Sequence, residues 1–182
     1  MASAAGDRRV LIEVCVDSLE SAIIAQENGA DRLEVCTNLA VGGGTTPSIG
    51  LISCILEQVQ LPVMVLIRCR TGDFFYGSDE LEVMTADIGA IAQLSEMHKG
   101  HEVGVVIGAL CRDGTIDEPA VKALMLATGH MPVTFHRAFD MVQNPDEGES
   151  SSSARVGAHG SSCETALLKV SGIGGIRRIL TR

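Results

Sequence analysis

The sequence reads as an α/β protein, and three observations carry that reading. Short, nearly continuous aliphatic runs recur about every 30 residues, the length of a strand–helix–strand unit. Amphipathic stretches long enough for helices separate them. Polar residues collect at the C-terminal ends of the runs: Cys15 with Asp17, Cys36, Arg68, and His136 with Arg137. Apolar strands separated by helices imply a parallel sheet covered on its faces. Polar residues at nearly every strand end favour a TIM-type (β/α) barrel, whose functional face lies at the C-terminal ends of its strands. An open doubly wound sheet gathers its ligands at one switch point instead.

The elements follow in order. A strand over 10–17 is followed by a helix over about 18–29, which Ser18 caps and Gly29 stops. A second strand, 32–37, runs into the glycine-rich loop 41–47, and Ser48 opens a helix to about Val59. Pro62 to Arg68 reads as the third strand, 69–79 as a loop and 80–97 as a long helix. Val103 to Leu110 is the fourth strand, 118–128 a helix, and Pro132 to Ala138 the fifth strand. From 144 the chain turns small, polar and low in complexity. A short helix over 164–170 and a sixth strand over 176–181 follow.

Six strands cannot close an eight-strand barrel. The expectation is therefore an incomplete barrel of about six of eight strand–helix units. Residues 1–9 form a flexible N-terminus and 10–143 hold units one to five; 144–163 are a flexible polar insertion, and 164–182 are the remnant of a sixth unit. The first and sixth strands would each present an unpaired edge, which invites association with other chains, a second copy included.

Bulk properties exclude several function classes. The 182 residues carry a net charge of −9, which argues against nucleic acid, a ligand that demands a basic face. No apolar run reaches the roughly 18 residues of a membrane span, and Met1 to Asp7 lack the apolar stretch of a signal peptide. The expected compartment is the cytosol, with the nucleus also open. Six scattered cysteines without a CxxC pair read as free thiols in a reducing compartment.

The most distinctive feature is a repeat. Leu11-Ile-Glu-Val-Cys-Val-Asp17 and Arg32-Leu-Glu-Val-Cys-Thr37 each place a glutamate and a cysteine two residues apart. Strand side chains alternate with a period of two, so Glu13 shares a face with Cys15, and Glu34 with Cys36. On neighbouring strands, two thiols and two carboxyls converge. A carboxylate is costly to bury alone, so the repeat points to a site.

Several stretches together resemble the CutC copper-homeostasis family: Glu13-Val-Cys-Val-Asp-Ser18, Asp31-Arg-Leu-Glu-Val-Cys36, Gly43-Gly-Thr-Thr-Pro47, Ile67-Arg68 with Gly72-Asp-Phe74, and Pro132-Val-Thr-Phe-His-Arg-Ala-Phe-Asp140. The match runs from residue 10 to about 143 and resumes weakly over Leu167 to Thr181. The resemblance implies a TIM-type barrel, a cytosolic location, and a link to copper tolerance through binding of monovalent copper. The chain departs from the family in the longer polar stretch 144–162. The last two strand–helix units are also absent, and with them any anion site those units form.

Each candidate residue has two readings. Cys15 and Cys36 offer soft thiolates suited to monovalent copper, or are small core residues. Glu13 and Glu34 form a general acid–base pair, or pair with an inward arginine such as Arg68. Arg68 and His136 supply anion binding and proton transfer, or structural hydrogen bonds. By alternation, Thr134 and His136 take one face and Arg137 the other. Arg137 and Asp140 bind substrate, or form an ion pair with each other. Asp17 sits where it can cap the first helix. The 42–46 loop lacks the lysine of a Walker motif. Phe74, Phe75 and Tyr76 hold three of the five aromatics and form a lid, a subunit contact or packing over the mouth. His98, His101, His130 and His159 show no ligand spacing. Three readings of function follow. The first is a copper-homeostasis protein whose ligand is monovalent copper. The second is a TIM-barrel enzyme acting on a small anionic metabolite through Arg68, His136 and the glutamates. The third is a truncated variant without intact activity.

Overall fold

A computed structural model describes residues 9–143 and 159–181. The expected flexible N-terminus up to residue 8, and residues 144–158 of the expected polar insertion, lie outside the described residues.

Six parallel strands form one sheet in sequential order: β1 (Glu13–Val16), β2 (Arg32–Val35), β3 (Val63–Leu66), β4 (Val103–Ile107), β5 (Val133–Phe135) and β6 (Ile176–Ile179). Helices α1 (Leu19–Glu27), α3 (Ile49–Gln58), α4 (Ser78–Met97), α5 (Glu118–Thr128) and α6 (His159–Gly172) alternate with them, and a single turn, α2 (Leu39–Gly42), precedes α3. This is the strand–helix order of a TIM-type barrel. Among the described residues no pairing joins β1 to β6, so six units are present and the barrel is open between them.

Alternation along each strand builds the layers. Leu33 and Val35, Val63 and Val65, Val105 and Ile107 belong to the large apolar core with Ile52 of α3, Ile88 of α4 and Leu124 of α5. The intervening residues face the barrel interior, where Cys36, Met64, Leu66 and Val106 form a second, smaller cluster. Caps fix the helix starts: Ser18 and Ser21 form a reciprocal capping box on α1, Ser48 caps α3, and Asp117 caps α5.

Every strand is shorter than the sequence expectation, β4 ending at Ile107 instead of Leu110, and three differences stand out. The first strand, expected over 10–17, is only four residues long, and Val10, Leu11 and Ile12 are largely exposed. β1 has a single neighbour, so these apolar side chains lack a second strand to pack beside. The fifth strand ends at Phe135, and a 3₁₀ turn spans Arg137–Met141 because the His136 side chain accepts the Ala138 N–H and caps that turn. α6 begins at His159, five positions before the expected start.

Gly104 and Gly108 of the β4 segment are spacing devices. A Cβ on Gly108 would lie 2.5 Å from two atoms of the His136 ring. Gly108→Ala is therefore expected to cost about 1–3 kcal/mol, the range of an overpacked interior. A lower urea midpoint at unchanged slope is the measurement; an unchanged midpoint would mean that the ring moves freely.

Candidate functional site

The inner face of the open barrel is polar at both of its ends and apolar between them. β1 and β2 pair with Glu13 opposite Arg32 and Cys15 opposite Glu34. The two Glu-x-Cys motifs are thus offset by two residues instead of lying side by side, the stagger that barrel curvature imposes on neighbouring strands. Glu13 forms an ion pair with Arg32. Cys15 and Cys36 become diagonal neighbours, and Cys36 points its Sγ at the Val16 carbonyl 3.6 Å away.

The four expected residues of the repeat do come together. Burial, reinforced by the charge and hydrogen bond of Glu13, pushes the Glu34 carboxyl up to about 7, while Arg137 and Arg32 pull it down. Desolvation, then the Glu34 and Glu13 carboxylates, push the Cys15 thiol up to about 11, although solvent still reaches this side chain. Burial raises Cys36 further, to about 12, with Glu34 and Cys15 adding to it. Both thiols are therefore protonated near neutral pH. Among the described residues no group of three or more His, Cys, Asp and Glu side chains is arranged to hold a metal ion.

Glu34 makes stability depend on pH. The folded chain holds this proton more tightly than the unfolded chain, whose carboxyl has its ordinary value of 4.5. Stability tied to Glu34 is fully present below about pH 4.5 and is lost as the pH rises through about 7. Glu34→Gln, which removes the charge and keeps the shape, is expected to flatten that slope and to gain up to about 3 kcal/mol at pH 8. Denaturation midpoints measured from pH 4 to 8 test it; parallel curves for the two proteins would contradict it.

At the C-terminal mouth, Arg68 and His136 stand on either side of Gly108. Arg68 is 2% exposed, and its guanidinium donates to the carbonyls of Gly42 at 2.7 Å, Gly44 at 2.9 Å and Gly72 at 2.6 Å. These bonds tie the loop after β2 to the loop after β3. His136 is equally buried, and burial holds its imidazole down to about 3, with Arg68 and Arg137 adding repulsion. Phe74 lies against both, its ring centroid 4.8 Å from the imidazole and 4.8 Å from the Arg68 Cζ. Phe74 and Tyr76 are buried as part of the large apolar core, while Arg70 stacks on Tyr76 and pairs with Glu80.

Alternation placed Arg137 on the face opposite His136, and the structure corrects this. Arg137 belongs to the 3₁₀ turn, its guanidinium fills the space a side chain on Gly43 would take, and its charge reaches Glu34. Gly43 has φ +68°, a left-handed conformation that glycine adopts without strain. Asp140 lies on the same turn and is exposed, beside a cavity lined by Gly72, Phe74, Arg137 and Met141. Asp17 leaves the capping of α1 to Ser18. His98, His101 and His130 lie toward the N-terminal ends of the strands, away from the mouth.

Sequence reading missed two inward arginines. Arg32 is the partner of Glu13. Arg178, on β6, donates to the Thr134 hydroxyl at 3.1 Å and reaches the Met64 sulfur at 2.9 Å, and burial lowers its pKa. The signal for Arg32 was present, one residue before the repeated Leu-Glu-Val-Cys; nothing in Ile-Arg-Arg-Ile distinguishes Arg178 from Arg177.

A family model described as the CutC family matches residues 10–158. A human copper homeostasis protein cutC homolog is 50% identical over 135 residues, which cover 74% of this chain and 47% of that protein. A family protein CutC of Histophilus somni is 46% identical over 137 residues, covering 75% of this chain and 54% of its own. The crystal structure of CutC from Streptococcus agalactiae matches with a TM-score of 0.75 at 31% identity, covering 95% of this chain and 72% of that one. The chain spans about half the length of the curated relatives it matches. With most of its length matched by the family model and a solved member sharing its fold, this chain belongs to the CutC family.

Proposed function

We propose that this chain is a copper-homeostasis protein that holds one monovalent copper ion between Cys15 and Cys36. One observation carries the reading: two thiols on adjoining strands are diagonal neighbours on one inner face. The human relative is named a copper homeostasis protein cutC homolog and the Streptococcus structure a putative copper homeostasis protein CutC, and both names support it. So does the donor set. Soft thiolates select Cu(I), whereas a structural zinc site requires four ligands. The low-polarity neighbours Met64, Leu66 and Val106 shield Cys36 from hard, hydrated ions.

The raised thiols set the pH dependence. Each ligand must lose its proton to bind. With both thiols protonated across the neutral range, each bound ion displaces two protons, so apparent affinity rises by about 100-fold for each unit of pH. The test is an anaerobic titration of the reduced protein with Cu(I) against a competing chelator at pH 6, 7 and 8. One ion per chain, with an affinity that climbs steeply across this range, is the expected result. Affinity independent of pH would remove the thiols as ligands.

A further inference from the structure

The C-terminal mouth holds polar groups that the copper reading does not use. Arg68 and His136 are each 2% exposed and Tyr76 5%. Among the described residues, Arg68 Nε and His136 Nε2 lack a hydrogen-bond partner. Buried polar groups are almost always paired, so two such donors at one end of a barrel mark a place built for something else. The Tyr76 hydroxyl is not one of them, because it stands against Arg68, whose charge and side-chain hydrogen bond act on it.

The chemistry of these atoms defines what they bind. His136 Nδ1 accepts the Ala138 N–H at 3.2 Å, so in the neutral ring Nε2 carries the proton and is a donor. Arg68 Nε–H is a donor in every state. Donors without acceptors suit a group that only accepts: a carboxylate or carbonyl oxygen. The adjoining cavity, lined by Gly72, Phe74, Arg137, Asp140 and Met141, brings a second guanidinium to the same mouth. Between that cavity and the buried donors stands the Phe74 ring, in contact with both His136 and Arg68. Its loop is anchored from behind, because Arg70 donates to the Phe75 carbonyl at 2.6 Å and pairs with Glu80.

We propose that this mouth binds a small 2-oxo or 2-hydroxy acid, its carboxylate against Arg137 and its second oxygen on the His136 and Arg68 N–H donors, with Phe74 as the side chain that admits it. Arg137 supplies the charge and the neutral imidazole supplies a directed donor, the pairing that polarises a carbonyl without transferring a full proton to it. Phe74 sets the size limit, because the ring must be displaced before an oxygen reaches Nε2. The site shares no side chain with the Cys15–Cys36 pair, so it stands apart from the copper reading.

The test uses the whole reduced chain without copper, with pyruvate and lactate as probes and acetate as the comparison. Binding is read by calorimetry and by the nitrogen resonance of His136 Nε2. Pyruvate and lactate are expected to bind and to shift that resonance, with acetate about tenfold weaker for want of the second oxygen. Arg137→Gln and His136→Phe are each expected to weaken binding about tenfold or more. Phe74→Ala is expected to strengthen it, since no ring remains to be displaced. The resonance of the unmodified protein guards against variants that fail to fold. An unmoved His136 resonance, with no heat from either probe in the unmodified chain and in Phe74→Ala, would overturn the proposal; so would undiminished binding in both Arg137→Gln and His136→Phe.

Discussion

Replacing Cys15 and Cys36 together with serine is expected to abolish Cu(I) binding, while the same change at Cys54 and Cys163 leaves it intact. The contrast follows from placement. Cys54 and Cys163 are exposed on helices, far in sequence and in layer from the barrel interior. Cys15 and Cys36 share the inner face of adjoining strands. A hydroxyl is a hard, weakly acidic ligand, so serine does not replace thiolate for a soft ion. With only two donors, losing either one leaves a single sulfur, and each single variant is expected to lose most of the affinity. Cys36→Ser also places a hydroxyl beside Met64, Leu66 and Val106, which costs about 1–3 kcal/mol if it finds no partner. Cys36→Ala avoids that cost and separates lost ligation from lost folding. Competition titration with a Cu(I) chelator gives the readout, and circular dichroism confirms the fold. Undiminished binding in the double variant would direct attention to Cys69 and Cys111, the half-buried thiols of the loops after β3 and β4.

The fold was legible because its signal is local. Val63 to Leu66 is an unbroken apolar run and Val103 to Ile107 is broken only by Gly104, and both are fully buried strands in a parallel sheet. Ser18 and Ser48 announce helices that begin where a cap predicts. The repeat Glu-Val-Cys likewise located the inner face correctly. Its register was not legible. Which residue lies opposite Cys15 depends on the stagger of the whole sheet, and no pattern within ten residues encodes that. Arg137 shows a second limit. Alternation holds only while the chain stays extended, and His136 ends the strand by capping a 3₁₀ turn with its own ring. Arg68 shows a third. Its position at a strand end was visible in the sequence, but its partners are carbonyls of glycines some 25 residues away, atoms with no side-chain signature.

Those carbonyls make Arg68→Ala the most damaging single substitution expected in the mouth. The guanidinium bonds Gly42 and Gly44 on one loop and Gly72 on another, from a site 2% exposed. Alanine leaves three carbonyls without their donor and opens a cavity under Phe74, which rests on the guanidinium. A hydrogen bond to a charged group contributes about 1.5–3 kcal/mol, and the three are not additive, so a loss of at least about 3 kcal/mol is expected. Against a total of about 5–15 kcal/mol, that is a large share. For a chain of this size it corresponds to a melting temperature lower by roughly 6–12 °C. Arg68→Lys is expected to recover little, because one ammonium lacks the planar fork that reaches both loops. The damage should also travel to Cys36. Gly44 packs against that side chain: a Cβ built on it would lie 3.8 Å from the sulfur and 2.7 Å from the Leu66 side chain. Once Gly44 is released from the guanidinium, Cys36, now fully buried, should react with a thiol reagent well below the melting temperature. Mass spectrometry of the alkylated chain resolves this site from the exposed Cys15, Cys54 and Cys163. A variant that melts within a degree or so of the unmodified protein and keeps Cys36 protected would show that the two loops hold their places without the arginine.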